Sequence, residues 1–180
     1  GGQGGSVWNV NLFDLSNSFD FTFDVFLGCD DGGADGLAFV LQSLSVNAGT
    51  AGGGIGYQGI SPSVAVELDN YQNNNEPGFD HMAIQRNGDV SHVGTNILAG
   101  PVQISATTGN VEDCAWHQLN VVWNVGTNTL TVFFDGALRL SYTGDIVNNI
   151  FGGNPNVYWG FTAATGGANN QHQFCNALNP

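Results

Sequence analysis

Residues 18–27, SFDFTFDVFL, alternate strictly: Phe19, Phe21, Phe23, Val25 and Leu27 fall on one side of an extended chain, Asp20, Thr22, Asp24 and Phe26 on the other. Side chains two apart share one face of a strand, so this spacing predicts a half-buried strand. Shorter segments of the same kind recur at 7–13, 36–42, 63–69, 81–86, 117–123, 129–134, 137–142, 156–162 and 171–175. Glycine- and asparagine-rich turns separate them, the arrangement of a β-sandwich. Between 129–134 and 137–142 stands Asp135-Gly136, a pair that readily supplies the positive φ angles of a tight hairpin. The one predicted helix is a short turn at 145–151, DIVNNIF, with Asp145 as its N-cap. No repeat of solenoid length interrupts the pattern.

Composition agrees with a mostly β chain, because Ser, Thr, Asn, Gly and aromatic residues dominate and only 9% of the 180 residues are charged. Residues 1–180 carry no low-complexity linker, which predicts a single domain with one sizeable core. Fifteen Asp and Glu stand against Arg86 and Arg139, with no Lys, for a net charge of −13. A phosphate backbone is repelled by that balance, so nucleic acid is excluded as a partner. The acidity serves solubility or gathers carboxylates for cations. No apolar run reaches the ~18 residues of a membrane span, so no membrane insertion is expected, and GGQGGS lacks the basic and apolar regions of a signal peptide. We expect a secreted or cell-surface protein whose export signal has been removed. Cys29, Cys114 and Cys175 lack zinc-site spacing, which leaves free thiols or disulfides. Cys29 ends one alternating segment and Cys114 just precedes another, which suggests a Cys29-Cys114 bridge in an exported protein.

Chemistry concentrates in residues 64–81, VAVELDNYQNNNEPGFDH. Val64, Ala65 and Val66 read as a strand buried on both faces, yet Glu67 and Asp69 follow at once and point the same way. Two carboxylates beside a core are costly unless a cation neutralises them. The next residues supply the Tyr71 carbonyl, the Asn73 amide oxygen, the Glu76 carboxylate and the His81 imidazole. Calcium takes six to eight oxygen ligands, whereas a nitrogen ligand suits manganese or another transition metal, and two adjacent ions could share Asp69 and Glu76. The alternative is a polar loop in which Glu67 and Asp69 are merely solvated.

The blocks GADGLAFVLQ (33–42), GGGIGY (52–57), VAVELDNYQN (64–73), EPGFDH (76–81) and GFTAATGG (160–167) resemble the L-type, legume-lectin-like domains, bacterial surface versions in particular. The blocks occur in the family's order across most of the chain. The resemblance implies an all-β, concanavalin-like jelly-roll sandwich of two antiparallel sheets with a sugar bound in loops beside the metals. It places Glu67, Asp69, Glu76 and His81 on a transition metal, with Ser91 as a partner through water, and Asp69, the Tyr71 carbonyl, Asn73 and Glu76 on calcium. For the sugar it implies Asp35 as acceptor for two hydroxyls, after a cis Ala34-Asp35 peptide, and Gly53 as a backbone N–H donor. Asn73 then bonds both calcium and a hydroxyl, Tyr71 offers its ring, and Gly167 and Ala168 open the variable loop. The chain departs from the family in two places. Glu76 stands where the pattern has Asp, after a stretch from Asn73 shorter by at least one residue. The first strand is short or absent before Val7, which implies a fragment of a larger protein and an upstream partner for Cys175.

Three function classes follow. The first is a calcium-dependent, non-catalytic carbohydrate-binding module for glycan adhesion, with specificity in loops 47–54 and 166–170. Such shallow sites gain avidity through self-association or a multidomain context. The second is a glucanase-like hydrolase, whose ExDxxE strand needs two carboxyl groups about 5 Å apart. Here Gln72 holds the second Glu position and cannot cycle a proton. The third is a structural unit of an adhesin or filament whose metals fix loops. Trp8, Trp116, Trp123 and Trp159 are expected in the core, and His92, His117 and His172 read as ordinary strand or loop histidines.

Overall fold

The computed structural model describes residues 2–47 and 52–176. Its elements, in order, are β1 (Gly4–Trp8), β2 (Phe13–Asp14), β3 (Phe19–Phe26), β4 (Gly36–Gln42), β5 (Ser63–Asp69), β6 (His81–Arg86), β7 (Ile97–Gln103), β8 (Trp116–Asn124), β9 (Thr129–Phe134), β10 (Ala137–Thr143), α1 (Ile146–Asn149), β11 (Asn156–Ala164) and β12 (Gln173–Asn176). One antiparallel sheet runs β1-β11-β4-β5-β6-β7, with β2 beside the start of β11, and the other runs β10-β9-β8-β3-β12. The predicted sandwich is therefore the observed one.

Most elements form where alternation predicts them, and the exceptions have local causes. β1 begins at Gly4, not Val7, and pairs with β11 from Gly4 opposite Ala164 to Trp8 opposite Gly160. Its glycines carry no hydrophobic signal, so pairing alone makes it a strand. β7 was not predicted, because all but Gly100 of its residues are half-buried and Pro101 removes a ladder donor. The Asp135-Gly136 turn has φ of 50° and 75°, as its sequence demands. Asp145 caps α1 by accepting the Asn148 N–H at 2.9 Å.

The period of two splits β4 and β5 between two cores. Leu37, Phe39, Leu41, Val64, Val66 and Leu68 face the second sheet, where Phe23 meets Phe161 edge-on at 4.8 Å. Ala38, Val40 and Ala65 face the other way and lie under Ile55, Tyr57 and Ile60. Thr162 pins this cover by donating to the Ile55 carbonyl at 2.8 Å. Glu67 and Asp69 continue the face of Ala65, so the loop that closes the minor core also roofs the carboxylates. Trp8 and Trp123 are buried, and Trp123 donates to the Leu15 carbonyl at 2.9 Å. Trp116 is instead exposed, resting against Phe26 at the end of β8.

Cys29 and Cys114 form a disulfide that closes 85 residues of chain, while Cys175 is an exposed free thiol. Among the described residues no helix is long and apolar enough to cross a membrane.

Away from the minor core, Glu112 is buried close to Asp80 and Asp31. Desolvation, reinforced by the charge of Asp80, pushes its carboxyl from 4.5 up to about 9. A carboxyl raised on folding stabilises the fold fully below its unfolded value, and that contribution is lost as pH climbs through the folded one. Glu112→Gln keeps a neutral side chain of the same shape. In chelated samples the wild type's thermal stability should therefore fall, relative to the variant's, as pH rises from about 5 to about 9.

Candidate functional site

The minor-core face carries the chemistry. Asp69 lies opposite His81 and Glu67 opposite Ala83 in the β5–β6 register, so Glu67, Asp69 and His81 share one face. Each is at most 2% exposed. Tyr57, from the covering loop, donates its hydroxyl to Glu67 Oε2. Glu76 arrives from the loop after β5, where Asn75 turns the chain at φ 68°. Its Oε2 accepts the Asn73 N–H at 2.5 Å and its Oε1 lies 3.7 Å from His92 Nδ1. The longer Glu side chain thus spans the shortened stretch by reaching back toward β5.

Glu67, His81 and His92 form one group of ligand atoms close enough for a single ion, and Asp69, Glu76 and His81 form another. His81 Nε2 is 3.2 Å from His92 Nε2 and 4.0 Å from Asp69 Oδ2. Neither arginine relieves the carboxylates, since Arg86 bonds Asn96 and Arg139 bonds the Gln103 carbonyl. Burial, with the charge of Glu67 added, holds the Asp69 carboxyl well above its ordinary range. Burial and the neighbouring His92 push His81 down to about 4, leaving a neutral imidazole able to ligate at pH 7. The donor set therefore fits a bound cation, which would replace carboxylate repulsion with attraction.

Ser91, expected to reach the ion through water, makes its direct contacts elsewhere. It is exposed, its hydroxyl donates to the Val93 carbonyl at 3.4 Å, and its own carbonyl accepts from Gln85 Nε2 at 3.0 Å. Asp89 Oδ1 accepts the Ser91 N–H at 2.9 Å, forming a turn that brings the next residue, His92, into the cluster. His92 is thus not an ordinary loop histidine. No periodicity links it to β5 or β6, because a tertiary hydrogen bond from Gln85 positions it. His117 bridges Asp135 and Asp113 near the surface, and His172 lies against Asn70, where burial lowers its ring to about 4.

A second group of predicted residues gathers beside the first. The Ala34-Asp35 peptide is cis. Asp35 is 4% exposed, its N–H bonds the Ala164 carbonyl at 2.9 Å, and its carbonyl accepts from Asn70 N at 3.3 Å. Asn170 braces the same loop: its N–H reaches the Ala34 carbonyl at 3.0 Å and its Oδ1 accepts the Cys29 N–H at 3.2 Å. Asp35 Oδ2 is buried without a hydrogen-bond partner, and burial raises the carboxyl. A β-carbon added at Gly53 would lie 3.7 Å from the Asn73 amide and 3.8 Å from Asp35 Oδ1, and one at Gly166 only 3.1 Å from Asp35 Oδ2. A side chain at Gly166 would crowd the carboxylate and one at Gly53 would touch it. Tyr71 is exposed, with its N–H on Asp69 Oδ1 at 2.9 Å. Gly167 has open space over it and Ala168 is half-buried. Of the expected specificity loops, residues 48–51 lie outside the described residues.

Residues 1–178 match the family model of the legume lectin beta-barrel domain. Pesticidal crystal protein Cry22Aa of Bacillus thuringiensis is 28% identical over 204 residues, an alignment that takes in 95% of this chain and 27% of that protein. The chain therefore spans little more than a quarter of that relative's length. The metal-free form of lectin I-B4 from Griffonia simplicifolia superposes with a TM-score of 0.71 at 24% identity, covering 98% of this chain and 82% of that one. The exoplasmic/lumenal domain of VIP36, in its calcium- and mannose-bound form, gives 0.67 at 18% identity, covering 99% and 75%. At these identities the likeness establishes the fold, a jelly-roll sandwich of two antiparallel sheets.

Proposed function

Because this chain belongs to the legume lectin beta-barrel domain family, we propose that it is a calcium-dependent, non-catalytic carbohydrate-binding domain. One observation carries the reading: a buried Asp35 carboxylate with an unpartnered oxygen, beside Asn73 and two glycines. A polar group left unsatisfied in a native interior calls for a ligand donor, and the paired hydroxyls of a sugar are suitable donors. In this reading calcium is held by Asp69, the Tyr71 carbonyl, Asn73 and Glu76, and a second ion, manganese or another transition metal, by Glu67, Asp69, Glu76 and His81. The ions contribute positive charge that fixes the loop, while this chain's residues perform the recognition. Asp35 accepts two hydroxyls, the Gly53 N–H and Asn73 contribute further hydrogen bonds, and the Tyr71 ring covers the sugar's apolar face. Gly167 and Ala168 border the variable side.

Gln72 argues against hydrolysis, since it is exposed and its amide donates to the Glu76 carbonyl at 3.2 Å. The disulfide suits an oxidising, extracellular setting, and a net charge of −13 disfavours nucleic acid. Adhesion through several copies or domains would supply the avidity that one shallow site lacks. A glycan array probed with the calcium-loaded domain and again after chelation tests this. Binding to defined glycans that disappears with chelator is the expected result. Release of sugar from the array would instead mean an enzyme, and no binding at all would favour a structural module.

A further inference from the structure

A single straight hydrogen bond to Glu67 does not account for both contacts of the His92 Nε2. This nitrogen lies 2.5 Å from Glu67 Oε1 and 3.2 Å from His81 Nε2. One ring nitrogen carries at most one hydrogen. If that hydrogen points to Glu67, none remains for the contact between the two imidazoles unless His81 donates. A donating His81 would then require a His92 lone pair, which would face the Glu67 carboxylate. One cation placed among the three atoms takes a lone pair from each and removes the conflict.

The spacing of the two imidazoles fits such an ion, while Glu67 Oε1, 2.5 Å from His92 Nε2, would have to draw back to share it. Two donors each about 2.0–2.2 Å from one metal stand about 2.9–3.5 Å apart in tetrahedral or octahedral geometry, and the two Nε2 atoms are 3.2 Å apart. The ring is also preorganised. Gln85, fully buried on β6, holds the Ser91 carbonyl at 3.0 Å, and Asn96 anchors the same turn through Asp89 Oδ2 at 2.8 Å. Behind the ring, Nδ1 has no hydrogen-bond partner, the nearest carboxylate oxygen being Glu76 Oε1 at 3.7 Å. The His92 side chain is 4% exposed, so little water competes for it.

We propose that His92 is a direct ligand of the second metal ion, making a centre of two imidazoles with Glu67 that prefers a zinc-class ion over manganese. This rests on the reading that the cluster holds an ion beside calcium. Carboxylates and water suit manganese, whereas each imidazole added moves the preference toward zinc, nickel or copper. The preference therefore belongs to His92 and should depart with it.

The test uses the chelator-stripped domain at saturating calcium, titrated separately with zinc and manganese by calorimetry. Every site of this kind favours zinc to some degree, so the readout is the zinc-to-manganese affinity ratio in wild type against His92→Ser. The ratio is expected to fall by about a hundredfold, as for a lost ligand, through weaker zinc binding with manganese binding nearly unchanged. Calcium affinity serves as the folding control. Cobalt(II) provides a second readout, since its visible bands must shift when an imidazole leaves the ion. His92→Asn repeats both measurements should the serine variant fold poorly. An unchanged ratio, or identical cobalt spectra, overturns the inference. Calcium binding without zinc or manganese binding overturns it while sparing the calcium reading; no metal binding at all overturns both.

Discussion

Asp35→Asn is expected to abolish glycan binding while leaving the fold intact or slightly more stable. The substitution preserves size and both backbone hydrogen bonds that seat the residue, those to Ala164 and Asn70. It removes the negative charge and converts one oxygen into a donor. Two sugar hydroxyls that would each gain ~1.5–3 kcal/mol from a charged acceptor then meet a weaker or repulsive partner. Loss of both corresponds to at least about a hundredfold in affinity. That places a shallow single site below detection. Stability should hold or rise slightly, because an unpartnered carboxylate in an interior costs more than a neutral amide in its place. The two readouts together distinguish a recognition residue from a packing residue, which would lose stability and binding in parallel.

Stripping the metals should produce the largest change in stability. Glu67, Asp69 and His81 are each at most 2% exposed, and no arginine approaches them. Without a cation the carboxylates must repel or take up protons. A ligand held only by the folded state at about a hundred times its dissociation constant stabilises that state by about 2.7 kcal/mol. Two ions at such a site correspond to a melting point lowered by roughly 10 °C or more on chelation, for a domain of this size. Calcium alone should restore a large part of it. Asp69→Ala should reproduce the stripped melting point even in excess calcium, since Asp69 is shared by both proposed ions. Acid should imitate chelator, because protons compete with metal for the same carboxylates and imidazoles. A melting temperature indifferent to both treatments would remove the metal from the account.

Much of this molecule could be read from its residues before any geometry was known, and the gaps have physical reasons. Strands with one face on the core, such as β3, declare themselves by alternation. β4 and β5 are buried on both faces and were legible only as short apolar runs, the second ending in carboxylates. β1 and β7 left no pattern: glycines mark the first, and the second is a half-buried strand containing Pro101. The metal loop was legible because Glu67, Asp69, Glu76 and His81 lie within one short segment, so spacing alone brought them together. His92 was illegible for the opposite reason. Its place depends on Gln85 capturing the Ser91 carbonyl, a contact between a strand and a loop that no spacing encodes. Asp35 was recognised only through its resemblance block, and its isolation from hydrogen-bond partners emerged from packing against Gly53 and Gly166.

The central claim is that ion and sugar meet at Asp35, Asn73 and the residues that follow β5. A crystal structure of the calcium-loaded domain soaked with its best array glycan tests this most directly, with anomalous scattering used to identify the ions. The account predicts calcium among Asp69, the Tyr71 carbonyl, Asn73 and Glu76, with two sugar hydroxyls on Asp35 and the ring against Tyr71. A glycan bound elsewhere on the sandwich, or an ordered loop with no ion beside Asp69, would contradict it.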